Sequence, residues 1–316
     1  MNEPAVGPAP HSSIAAVERA TGLSKDTLRV WERRYGFPQP ERDTAGDRAY
    51  PAEQVDRLRV IRRLMDAGHR PGGIVALEMS ALQALAVPVV DAARFSKKTT
   101  TASADLSAFM DLIQCHDAPA LRHLLSQTAA RSGLVNFVTQ LVAPLTAAVG
   151  EAWLAGRFQI FEEHIYTESV SRVLRQALSG MTSAPAVGMP RVLLTSFPGE
   201  PHALGLLMVE TLLALEGCQC LSLGPQTPIA DIVKAAAAHR ADIVALSFTP
   251  VVSTRVVTSG LLELRALLPL ATHVWAGGSH PALKQRTMAS GVHVVRSLES
   301  LPEQLSLWQQ HAHSCG

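Results

Sequence analysis

The feature that most constrains this chain is that its hydrophobic period changes twice along 316 residues. Short helical repeats with tight turns fill 11–80, longer amphipathic repeats fill 105–180, and short apolar runs alternating with helices fill 191–305. One core cannot satisfy three such patterns, because the spacing of apolar residues decides which element buries them. Two stretches rich in small and polar residues interrupt the patterns, VPVVDAARFSKKTTTASAD at 86–104 and SGMTSAPAVGMP at 179–190. Such composition reads as linker. The expected organisation is therefore three domains, 11–80, 105–180 and 191–305, with a linker over 81–104.

In the first region IAAVERATG is a short helix stopped by Gly22, Ser24 suits the N-cap of a helix over 25–35, and Gly36 ends it. Two helices about a tight turn are a helix-turn-helix, whose second helix places its N-terminal side chains on base edges. A loop or small hairpin over 37–50, a helix over 51–68 and a shorter one near 71–80 follow. Charge agrees with this placement. Residues 11–70 hold twelve Lys/Arg against nine Asp/Glu, whereas the chain beyond 80 is balanced at sixteen of each. Nucleic-acid binding is thus expected at the front alone.

The middle region fits four helices, 105–115, 117–131, 134–155 and 160–179, a bundle. In the last region strand-like runs alternate with helices, which means a parallel sheet with helices on both faces. The fold class expected is multidomain, α and α/β, the last part doubly wound and Rossmann-like. Apolar residues at 47% and charged residues at 17% exclude disorder for most of the chain. The start MNEPAVGPAPHSS has neither a basic nor an apolar leader segment, and the uncharged stretches 132–150 and 266–283 are broken by Pro, Gln, His or Gly. Neither a secretory leader nor a membrane span is expected. Cys115, Cys218, Cys220 and Cys315 fit no disulfide framework or zinc spacing, so a reducing cytoplasm is expected. Cys218 and Cys220 read as packing residues of a strand.

Three constellations carry chemistry. In LSKDTLRVWERRYGFPQPERDTAGDRAY, the run Thr27-Leu28-Arg29, then Trp31-Glu32-Arg33, then Gly46, Arg48 and Tyr50 resembles the MerR family of regulators. The resemblance implies a winged helix-turn-helix over about 11–80 that binds double-stranded operator DNA. Lys25, Thr27, Arg29 and Arg33 would serve the recognition helix, and Arg48 and Tyr50 would touch phosphates, with Trp31 and Tyr35 in the core. MerR proteins dimerise through a long helix after this domain, where this chain carries a linker.

The second constellation follows the first strand of the last region, in SFPGEPHALG. Glu200 stands two residues before His202, and Gly205 three after it. Ligands of doubly wound sheets bind beyond the strand C-termini, and a loop histidine there can bind metal through one ring nitrogen while a carboxylate holds the other. A lone loop histidine would more simply be solvated. Ser247-Phe248-Thr249 and Gly277-Gly278 end the third and fourth strands at the same edge, with 41 residues between Gly205 and Ser247 and 27 between Thr249 and Gly277. Together these resemble the cobalamin-binding fold, with Glu200 in place of its usual Asp and Thr249 in place of its usual Leu. The resemblance implies that His202 is the lower axial ligand of cobalt, backed by Glu200, and that Gly205, Ser247, Thr249, Gly277 and Gly278 line the slot for the nucleotide tail.

The third is Trp153, with Glu163 and His164 ten and eleven residues later. A core tryptophan and a polar helix start would account for it. The spacing also resembles the cap of the CarH-type light-sensing repressors, which share this domain order. That resemblance implies adenosylcobalamin as cofactor, Trp153 against the adenosyl group, Glu163 on its sugar or closing the pocket, and His164 able to reach cobalt after photolysis. It implies a homo-oligomer, dimer or tetramer, that holds DNA in the dark and comes apart in light. A light-independent regulator that senses cobalamin as a metabolite, or acts through a protein partner, is the alternative. An enzyme is disfavoured, since the DNA-binding front and the two other domains use up the chain.

Overall fold

The computed structural model describes residues 11–43, 46–66, 69–86, 102–181, 186, 188–284 and 290–314. The N-terminal tail, residues 87–101 of the first expected linker, part of the second and Cys315 lie outside the described residues. The chain divides into two compact units, one cut falling in the first linker and Leu154–Arg157 being grouped with the front unit.

In the front unit, α1 (Ile14–Thr21) ends on Gly22, whose left-handed backbone (φ 68°) lets its N–H bond the Glu18 carbonyl. The Ser24 hydroxyl then accepts from the Thr27 N–H at 3.1 Å and starts α2 (Lys25–Tyr35). β1 (Ser12–Ser13), β2 (Glu41–Arg42) and β3 (Arg48–Tyr50) form a small antiparallel sheet with β3 central. The stretch after α2 is therefore a hairpin, the wing of a helix-turn-helix. α3 (Ala52–Asp66) brings Leu58, Ile61 and Leu64 onto Val17, Leu28 and Trp31 to make the core. Two short helices follow where one was expected, α4 (Pro71–Ile74) and α5 (Met79–Ala86). The chain thus stays helical to residue 86, into the stretch expected as linker from 81. Leu82 explains this, being fully buried in the same core.

The second unit begins with α6 (Ala102–Gln114), α7 (Ala118–Ser132), α8 (Leu134–Leu154) and α9 (Ile160–Ser179). Asp117 caps α7, accepting from the Ala120 N–H at 2.9 Å. α8 widens into a π-helix over Phe137–Val142. Tyr166 of α9 braces that bulge, its hydroxyl donating to the Val142 carbonyl at 3.2 Å and lying 2.6 Å from Thr146 Oγ1. By length and composition α8 could cross a membrane. Here its Phe137, Val138, Val142 and Leu145 are fully buried in the bundle.

β4 (Arg191–Thr195), β5 (Gln219–Gly224), β6 (Ile243–Phe248), β7 (His273–Gly278) and β8 (Val292–Val294) form one parallel sheet in the order β5-β4-β6-β7-β8. α10 (Leu204–Leu215), α11 (Ile229–Ala238), α12 (Thr254–Leu267) and α13 (Leu301–Ser314) complete it. Alternation along the strands divides the core. Val192, Leu194, Ile243 and Ala245 face α10 and the bundle, which share one apolar cluster, while Leu193, Val244 and Leu246 face α11 and α12. α13 was not foreseen, although its Leu301 and Leu305 recur at helical spacing and are buried. Cys115, Cys218 and Cys220 are free thiols. Cys218 and Cys220 join the bundle-side core, and burial pushes the Cys218 thiol up to about 12, which leaves it unreactive.

Candidate functional site

The strand order reverses between β4 and β6, since β5 lies on the other side of β4. Loops diverge at such a point and leave a crevice beyond the strand C-termini. The loops after β4 and β6 carry Glu200, His202 and Thr249 to it.

Glu200 is fully buried, and its carboxylate takes four hydrogen bonds. Oε1 accepts from the His202 amide at 3.1 Å and from the His202 ring Nδ1 at 2.7 Å. Oε2 accepts from the Thr249 amide at 2.6 Å and from its hydroxyl at 2.8 Å. Burial alone would raise this carboxyl; the bonds from His202 and Thr249 outweigh it and hold the group below the ordinary carboxylate value. A carboxylate can only accept, so Nδ1 carries a proton, and in the neutral ring Nε2 then keeps the lone pair a metal needs. The ring is half exposed. The two departures from the cobalamin-fold pattern prove to be coupled, because the Thr249 hydroxyl fills the last acceptor position of the longer Glu200 arm.

The glycines and Ser247 meet at the same edge. Gly205 opens α10 against Ser247, where an added Cβ would lie 3.0 Å from the hydroxyl oxygen. Ser247 and Phe248 pair with Gly277 and Gly278 across β6 and β7. Gly278 has φ 110°, and a Cβ there would collide with the Phe248 carbonyl. Only glycine permits the approach at Gly278, and a side chain at Gly205 would require Ser247 to give way. An imidazole held at Nδ1 by a carboxylate, with Gly205, Gly277 and Gly278 at the same sheet edge, fits the lower face of cobalamin. Sequence reasoning missed His280, which is buried and ties the loops after β6 and β7 together. Its Nδ1 accepts from the Ala282 amide at 3.0 Å, and its Nε2 donates to the Val252 carbonyl at 3.0 Å. A histidine between a strand end and Pro281 was the available signal.

The bundle residues are placed differently. Trp153 is half-buried at the end of α8, packed on the core shared by bundle and sheet. Glu163 accepts from the Thr167 hydroxyl at 2.7 Å and lies 3.6 Å from His164 Nε2. His164 is exposed and lines a cleft of about 300 Å³ between α7 and α9, with Arg122, Phe161 and Arg172. The buried carboxylate of this segment is the neighbouring Glu162, which accepts from the Gln159 amide and lies 3.1 Å from His116 Nε2. It locks the first turn of α9 to the turn between α6 and α7.

On the front unit, α2 exposes Arg29 and Arg33. Lys25 pairs with Glu18 at 3.7 Å, Arg29 with Asp26 at 3.3 Å, and the Thr27 hydroxyl lies 2.8 Å from Ser24 Oγ. Arg48 of the wing donates to Glu32 of α2 at 3.0 Å, so wing and helix are tied together. Tyr50 requires a correction. It ends β3 just before the chain turns into α3, and its ring is fully buried with Val17, Leu28 and Leu58. The hydroxyl is enclosed without a partner, so the phosphate contact expected of it is not offered by this surface. Trp31 is buried as well, and Tyr35 packs at the core margin.

A winged helix-turn-helix, a helical bundle and a doubly wound sheet with a carboxylate-backed histidine define a DNA-binding regulator with a corrinoid-type ligand domain. Residues 12–78 match the MerR HTH family regulatory proteins, and residues 107–177 and 190–300 match two B12 binding domain families. The chain is 30% identical to the HTH-type transcriptional repressor CarH of Myxococcus xanthus over 88% of its own length and 92% of the relative's. It is 28% identical to the repressor CarA of the same organism, over 94% and 96%. The chain belongs to the CarH-type family of B12-dependent MerR regulators. The monomethylamine corrinoid protein of Methanosarcina barkeri shares the fold, at 17% identity and a TM-score of 0.51 over 63% of this chain and 96% of that one.

Proposed function

We propose that this protein is a cytoplasmic transcriptional repressor that holds adenosylcobalamin, binds operator DNA as a homo-oligomer in the dark, and releases it in light. The observation that carries the reading is the Glu200–His202–Thr249 cluster at the switch point, on one chain with a wing-and-helix DNA-binding face. The CarH and CarA relatives, both repressors, support it over nearly the whole chain. Adenosylcobalamin supplies a cobalt–carbon bond that light breaks. His202 would hold the lower face through Nε2, with Glu200, 2.7 Å from Nδ1, orienting the ring for it. Trp153 of the bundle would pack against the adenosyl group, Glu163 would help to close the pocket, and His164 would be the residue available once that group has left. Several weak DNA-binding heads become one tight binder when the oligomer presents them together. Arg29, Arg33 and Lys25 address the groove, and Arg48 a phosphate.

The test is size-exclusion chromatography with in-line absorbance on protein reconstituted with adenosylcobalamin, before and after green light. A large cobalamin-bearing species that shrinks on illumination is the expected result. Bound cobalamin with no change of size would favour a metabolite sensor. Absence of bound cobalamin would overturn the reading.

A further inference from the structure

The loop after β5 runs beside the loop that carries Glu200 and His202, because β5 is the parallel neighbour of β4. Gln226 in that loop has φ 63°, a left-handed backbone in a residue that is not glycine. A residue with a Cβ disfavours this conformation, so surrounding bonds must hold it there. Its hydrogen bonds run to the neighbouring loop. The Gln226 amide donates to Ser196 Oγ at 3.0 Å, and its side-chain oxygen accepts from the Gly199 amide at 3.3 Å. Ser196 Oγ donates in turn to the Glu200 carbonyl at 2.8 Å, and the Thr227 amide to the Ser196 carbonyl at 2.9 Å. The bonds form a path from Gln226 through Ser196 and Gly199 to Glu200, and so to the His202 ring. Gln226 itself is exposed and belongs to no apolar cluster, so core packing does not explain it.

We infer that Gln226 is a positioning residue for His202. It clamps the turn over 196–200 from outside, which keeps the Glu200 carboxylate under the imidazole and Nε2 as the nitrogen that meets a ligand. The inference rests on the cobalamin reading for its purpose, but not for its geometry. The left-handed backbone presents the amide and the carboxamide to the same loop, and the carboxamide is what a substitution removes.

Two variants separate side chain from backbone. Gln226→Ala removes the acceptor for Gly199 and keeps the disfavoured φ; Gln226→Gly removes the acceptor and relieves the φ. Two readouts apply to both. Nitrogen-15 NMR of the cobalamin-free protein reports the His202 tautomer, and titration with aquocobalamin reports affinity together with the spectral shift of histidine coordination. Both variants are expected to show a mixture of His202 tautomers. Both are expected to bind aquocobalamin about ten-fold more weakly, as loss of an outer-shell partner does, with the unfolding midpoint of the glycine variant at or above that of the parent. Parental tautomer and affinity in Gln226→Gly would overturn the inference, since relief of backbone strain alone would then suffice. Parental behaviour in Gln226→Ala would overturn it equally. The NMR arm needs no cobalamin, so it decides the positioning role even where the titration shows no binding, a result that would strike the cofactor reading instead.

Discussion

His202 and His164 each stand close behind a glutamate in sequence, yet their surroundings differ. Glu200 is fully buried and its carboxylate takes four hydrogen bonds, two from His202 and two from the loop after β6. Glu163 keeps about a third of its side chain in solvent, and its bonds stay within α9, to Thr167 and His164. The first histidine is held in one tautomer by two loops; the second is 68% exposed at the rim of a cleft. A site set in advance loses little entropy when its ligand arrives, whereas an open one remains able to change partner. The molecule thus pairs a histidine fixed by two loops with one that stays open, the division of labour the proposed switch would require.

The largest effect should come from breaking the fixed site. Glu200→Ala removes the acceptor of the Thr249 and His202 amides and leaves the Thr249 hydroxyl and the His202 ring with each other, 3.2 Å apart, and should cost roughly 2–3 kcal/mol of stability in urea unfolding. The acid limb gives an independent reading. The folded carboxyl lies below its unfolded value of about 4.5, so its contribution is complete above that pH and is lost as pH falls through the folded value. Parent and variant should therefore converge in stability on acidification. Curves that stay parallel into acid would mean that the four bonds do not hold a charged group, and the contrast with Glu163 would lose its basis.

How much of this was legible in the sequence depends on the range over which each feature is determined. Caps and stops are local, so Gly22, Ser24, Gly36 and Asp117 predicted helix ends correctly. Strand and helix alternation over 191–300 is equally local, and all five strands were foreseen. Glu200, His202 and Gly205 were visible through short spacing. What spacing could not show is that Thr249, 49 residues after Glu200, completes its hydrogen bonding. Nor could it show that Tyr50 closes a strand into the core, because a motif names a residue without its side-chain direction. Of the adjacent acids Glu162 and Glu163, the buried one was passed over. That choice is made by His116, 46 residues earlier, whose approach only the bundle fold brings about.

Trp153→Ala sharpens the comparison from the other side. The residue is half-buried, so its loss should cost about 1–2 kcal/mol, less than the 3–5 typical of fully buried aromatics. Retention of adenosylcobalamin should change little, because the lower site is built from other elements. The dark oligomer should fall to a smaller species on size-exclusion chromatography. A variant that assembles normally in the dark would show that the upper site does not couple the cofactor to assembly.

The smallest effect is expected from His164→Ala. An exposed side chain without structural bonds beyond Glu163 should change stability by no more than about 0.5 kcal/mol. Its dark oligomer and dark cobalamin content should match the parent, since an adaptable site contributes nothing until its partner changes. After illumination the two proteins should part company. On the proposed reading His164 of the parent would be free to take the vacated side, whereas the variant would have His202 alone to hold cobalamin. Passage of the illuminated samples over a desalting column should therefore strip cobalamin from the variant and leave it on the parent. Equal retention would assign the lit state to His202 and Glu200 alone. The exposed histidine would then be a rim residue of its cleft, and the adaptability of the upper site would have to reside in Trp153 and the packing of α8.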